Sequence, residues 1–126
     1  MKRRPNILLD KADAFSTRII KMQQYLCSEK KEFILSKQVL RSGTSICANL
    51  TESKNAQSSL DYLSKHNIAL KEADETAYWL KKLHEGGYIN EIEYNSMNGD
   101  CEELIKMLVS SVKTLKLKNG RPVGVL

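Results

Sequence analysis

Proline is nearly absent from the chain: its two prolines, Pro5 and Pro122, lie close to the ends. A long proline-free interior suits an all-helical domain, because proline inside a helix removes a backbone hydrogen bond and clashes with the preceding turn. Cysteine is scarce as well. Cys27, Cys47 and Cys101 stand far apart with no CxxC pair. That argues against a zinc site or a disulfide framework and leaves them as small buried hydrophobes in a reducing compartment. No uncharged apolar run approaches the ~20 residues a membrane span needs. The basic start, Met1 to Asn6, is followed by Ile7-Leu8-Leu9 and then at once by Asp10 and Lys11. No secretory signal is therefore expected, and the expected location is cytoplasmic.

Catalytic signatures are missing too. Neither a GxSxG nucleophile turn nor a GxGxxG or GxxxxGK phosphate loop occurs, so no catalytic residue is assigned and an enzyme is not expected. His66 and His84 share an angular position on one predicted helix but are five turns, or ~27 Å, apart, so they cannot hold one metal. Each reads as a histidine at the core edge with one hydrogen bond. Glu72, Asp74 and Glu75 form a charge run of the kind that usually faces water. No cofactor or metal is expected.

What is present is helical periodicity. A first helix is expected over about Ile7–Cys27, with Leu8, Ala12, Phe15, Ile19, Met22 and Leu26 on one face. A second is expected over Glu32–Lys54, its stripe made of Phe33, Val39, Leu40, Gly43, Ile46, Cys47 and Leu50. A third starts at Ser58 or Ser59 and runs to His84, where Gly86-Gly87 supplies a stop signal. A fourth spans Glu91–Leu117, with acids at its start and lysines at its end, as the helix dipole favours. Short polar links between four long helices predict one domain: an antiparallel up-down-up-down bundle over 7–117. A basic tail over 1–6 and a loose tail over 118–126 flank it.

The third helix has more apolar residues than one core face uses. Ile68, Trp79 and Leu83 form a second stripe, which predicts a buried interface in a homo-oligomer. On the second helix Arg41, Ser45, Asn49 and Glu52 form a polar line. Three readings of Arg41 stay open: solvent, a carboxylate of the third helix such as Glu72 or Glu75, or a phosphate. The net charge is +5. The excess sits in the tails and the first half, so candidate phosphate contacts are Lys2, Arg3, Arg4, Lys11, Arg18, Lys30, Lys31 and Lys37.

The segment "QVLRSGTSICANLTES" (38–53), followed by "DYLSKHNIALKEADETAYWLKKL" (61–83), resembles the four-helix-bundle proteins encoded in intervening sequences of bacterial 23S ribosomal RNA genes. The shared pattern is Arg41, Ser45-Ile46, Ala48-Asn49 and Glu52, then Ala69-Leu70-Lys71-Glu72-Ala73, Glu75-Thr76 and Trp79-Leu80. Cys47 stands where members usually have a second small residue, and Thr51 where they usually have Ala. The resemblance implies a ring-like homopentamer of poorly defined function. Some relatives resemble the accessory protein of diversity-generating retroelements, which associates with a reverse transcriptase and nucleic acid. The expectation is a non-enzymatic oligomer that binds RNA, DNA or a ribonucleoprotein through basic surfaces. The alternative is a scaffold for a protein partner, such as a reverse transcriptase, without nucleic-acid contact.

Overall fold

A computed structural model describes residues 6–120. They form four α-helices and no strand: α1 (Ile7–Ser28), α2 (Leu35–Ser53), α3 (Ser59–Glu85) and α4 (Glu91–Lys118). Helix α1 packs on α2 and α4, and α3 packs on the same two, so the helices close around one core. The candidate tail residues Lys2, Arg3 and Arg4, and the segment 121–126, lie outside the described residues.

Each start follows from a capping side chain. Asn6 accepts a hydrogen bond from the Leu9 amide at 3.0 Å, and Ser58 does the same for Asp61 at 3.0 Å. Asn90 and Glu93 exchange reciprocal bonds of 2.8 Å at the head of α4, which satisfies two amides that the first turn leaves unpaired. Helix α2 begins later than Glu32, the start predicted from periodicity. Glu32 serves instead as a cap: its carboxylate accepts from the amides of Ile34, Leu35 and Ser36 at 3.2, 3.1 and 2.7 Å. The link before it passes through Lys31 at φ 53°. Phe33 consequently sits in the link, 61% exposed, and is not part of the α2 stripe.

The core is aliphatic. Ala12, Phe15, Ile19 and Leu26 from α1 meet Val39, Ile46 and Leu50 from α2, Ala69, Ala73 and Leu80 from α3, and Cys101, Leu104 and Leu108 from α4. On α1 it is Leu9, rather than the expected Leu8, that is buried, and Leu8 and Met22 are half-buried at the margin. Leu83, expected at an oligomer interface, is 0% exposed inside the chain's own core. Its position on α3 faces the cluster formed with Leu80 and Ile89 once the 86–90 link folds back. Asn98-Gly99 lies within α4 without ending it.

Gly43 explains the poor helix formers in the middle of α2. A Cβ there would lie 2.8 Å from both Cγ1 and Cγ2 of Ile19. Only a missing side chain lets α1 come so close, and the packing gained offsets the helix propensity that glycine gives up. Beside it, the buried hydroxyls of Ser42 and Thr76 hydrogen-bond at 2.9 Å, tying α2 to α3. The three cysteines are free thiols. Burial, with Glu102, Asp74 and Asp100 nearby, pushes Cys101 up to about 12, which keeps it a protonated hydrophobe.

Candidate functional site

The predicted polar line divides into three arrangements. Ser45 donates to the Arg41 carbonyl at 2.6 Å, and the Asn49 amide donates to the Ser45 carbonyl at 2.9 Å. Both side chains thus bond back to their own helix one turn earlier. Arg41 reaches across to α3, where it pairs with Glu72 at 3.3 Å and with Glu75. Glu75 in turn accepts from the Trp79 indole N–H at 3.1 Å. Glu52 turns the other way and pairs at 3.4 Å with Lys65, a partner the sequence reading did not name. Of the six residues, Arg41, Glu72 and Glu75 are brought together and the other three are not.

This cluster lies on a half-exposed face. The Arg41 side chain is 50% exposed and that of Glu75 39%, so each ion pair is worth about 0–1 kcal/mol. Its contribution lies in orientation: the carboxylate of Glu75, held by Arg41, fixes the indole of Trp79. Tyr78 meets that indole edge-on with centroids 5.0 Å apart. Ile68, further along α3, is 38% exposed. Tyr78 is exposed and Trp79 half-buried.

The basic candidates also divide. Lys11 pairs with Glu103 at 3.0 Å. Arg18 pairs with Asp100 at 2.6 Å and donates to the Ser96 hydroxyl at 2.8 Å. Both are therefore engaged along the α1–α4 seam. Lys30, Lys31 and Lys37 are exposed around the α1–α2 link, with no carboxylate in ion-pair contact among the described residues. Lys30 lies 6.0 Å from the Tyr25 ring centroid. Among the described residues, no group of three His, Cys, Asp or Glu is placed to hold a metal. No described helix is long and apolar enough to cross a membrane.

His66, read from sequence as a core-edge residue with one bond, is 4% exposed and touches two hydroxyls. Ser111 lies 2.8 Å from its Nδ1, and Ser53 lies 3.5 Å from its Nε2. The Ser53 proton is already given to the Leu50 carbonyl at 2.6 Å. Nε2–H is accordingly the donor to Ser53, and Nδ1 accepts from Ser111. Desolvation holds the imidazole below its ordinary value, so the neutral ring is favoured. No spacing rule pointed to this arrangement, since its members come from three helices. His84 instead stacks on Tyr94, with centroids 4.6 Å apart.

A family model for the 23S rRNA-intervening sequence protein matches residues 4–110, which include all of α1 to α3 and most of α4. The chain belongs to the 23S rRNA-intervening sequence protein family. A crystal structure from the S23 ribosomal protein family of Bacteroides thetaiotaomicron, described as a protein with unknown function, is similar over 85% of this chain and 99% of that one. The two share 48% sequence identity and superpose with a TM-score of 0.84. No curated protein matches the chain. The Arg41 cluster and the lysines of the α1–α2 link both lie inside the matched residues.

Proposed function

We propose that the chain is a non-enzymatic homo-oligomer whose exposed lysines contact the phosphates of RNA or DNA. The bundle over 7–117 is antiparallel in this reading. Arg18 with Asp100 and Lys11 with Glu103, like Ser53 with His66 and Arg41 with Glu72, pair earlier residues of one helix with later residues of the next. The basic segments 1–6 and 118–126 flank it. Copies join in a ring, five being the number the family resemblance implies, through the α2–α3 face that carries Ile68 and Trp79. Leu83 has no part in that face.

The observation that carries the phosphate reading is the contrast among the cations. Lys11 and Arg18 are neutralised by α4, while Lys30, Lys31 and Lys37 are exposed around the α1–α2 link with no carboxylate in ion-pair contact among the described residues. Repetition around a ring multiplies that local charge. Binding of this kind is sensitive to salt and weakly selective for sequence. The test is retention of mixed RNA and DNA at low salt, compared with a Lys30→Glu, Lys31→Glu, Lys37→Glu variant. Equal retention by the two proteins overturns the reading. The second reading, a scaffold for a protein partner, is favoured by the exposed ring of Tyr78. Partners that stay bound after nuclease treatment would select it. Light scattering reports the copy number, and Trp79→Ala with Ile68→Asp is expected to lower the mass without loss of helicity.

A further inference from the structure

The bundle end where α1 begins and α2 stops holds a cavity of about 330 Å³. That is the lower end of the size range of small-molecule sites, which pair apolar walls with a few placed polar groups. Leu9, Leu50 and Met107 form its apolar wall and Tyr62 an aromatic one, while Ser111 and Lys54 bring polar groups to it. His66 lines the cavity beside Tyr62, their ring centroids 4.4 Å apart.

The hydrogen bonds decide what the polar wall offers. The one hydroxyl proton of Ser111 is committed to His66 Nδ1, because Nε2–H serves Ser53 and Ser53 serves the Leu50 carbonyl. Ser111 therefore turns lone pairs toward the cavity and acts as an acceptor. It favours a ligand N–H and disfavours a ligand carbonyl. Lys54, exposed on the rim, has no carboxylate in ion-pair contact among the described residues. Asn6 also lines the cavity. A flat aromatic wall, an acceptor and a cationic rim together suit a planar amino-bearing heterocycle joined to an anion.

We propose that this cavity binds a nucleotide with an amino-bearing base, the base lying against Tyr62 with its amino group on Ser111 and its phosphate on Lys54. The nucleotide is free or belongs to a strand. The proposal rests on the phosphate reading above, and the experiment separates the two failures. The full chain is titrated calorimetrically with adenosine monophosphate, with purine riboside monophosphate (which lacks the amino group), with an oligoadenylate strand and with an abasic strand of equal length.

Adenosine monophosphate is expected to bind about tenfold more tightly than its amino-free analogue, the ratio one hydrogen bond supplies. Ser111→Ala should erase that ratio, and Lys54→Gln should weaken both ligands. The comparison of the two nucleotides on the unaltered protein needs no variant to fold. A strand source shows as oligoadenylate exceeding the abasic strand by more than the free nucleotide predicts. Equal binding of the two nucleotides, or of adenosine monophosphate to the unaltered and Ser111→Ala proteins, overturns the cavity proposal. If both strands still bind equally in that case, the phosphate reading stands alone. Absence of all binding overturns both.

Discussion

Helix α1 is held on its two sides by opposite means. Toward α2 it is drawn in by an absence: Gly43 has no side chain, and Ile19 fills the space at full burial. Toward α4 it lies more loosely. There the long exposed arms of Lys11 and Arg18 reach Glu103 and Asp100, and Arg18 borders a groove of about 450 Å³ that includes Met22, Tyr25 and Met97. The first contact depends on shape and tolerates almost no added volume. The second depends on charge, is screened by salt, and yields to substitution. One helix thus has a rigid side and an adaptable side.

The largest expected effect lies on the rigid side. Gly43→Val places methyl groups where Ile19 already sits, and Ile19, branched at Cβ and enclosed, has no free rotamer to adopt. A loss of about 3 kcal/mol is expected in urea unfolding, at the upper end for overpacking. Adding Ile19→Ala should recover part of it, although that change alone is destabilising. Additive losses in the double variant would show that the close approach is not the cause. Next in size is the hydroxyl pair that ties α2 to α3. Thr76→Val leaves the Ser42 hydroxyl buried without its partner, at a cost of about 1–2 kcal/mol. Ser42→Ala together with Thr76→Val should cost less than Thr76→Val alone.

The adaptable side gives the smaller numbers. Arg18→Ala removes three contacts to Ser96 and Asp100 of α4, and about 1 kcal/mol or less should be lost at low ionic strength. The loss should shrink in molar salt, where the pair is screened. A Gly43→Val effect is expected to be unmoved by the same salt. If the two variants respond alike, the contrast between the sides of α1 fails.

The division also accounts for what could be read from the sequence. Elements set by local period were legible: α3 begins at Ser59 and α4 at Glu91, as expected, and α4 buries Met97, Cys101, Leu104, Leu108 and Val112 at helical spacing, with Tyr94, Ile105 and Leu115 half-buried beside them. The start of α2 was not, because a glutamate read as a helical residue works as a cap through three amides. Leu83 was misplaced because angular position on an isolated helix ignores the 86–90 link, which returns Ile89 to the same core. The Arg41 cluster was legible in part, since only the carboxylates carry a charge cue. Ser53, His66 and Ser111 were not, since residues on three helices have no common spacing to read.

The smallest effect concerns that last group and tests it by pH. His66 is held below its ordinary imidazole value by burial, so the native state binds fewer protons than the unfolded chain just below about pH 6.5. The stabilisation from neutral His66 is therefore complete above that value. It is lost as the pH falls from there toward the lowered native value, because the unfolded ring gains a proton that the buried ring refuses. The urea midpoint should drop between about pH 7.5 and about pH 5.5, and His66→Gln should flatten the drop. Every group other than residue 66 is common to the two proteins, so its contribution cancels in the comparison. Parallel midpoint curves would show that the ring is protonated in place and that Ser111 is free to turn its own hydrogen into the cavity.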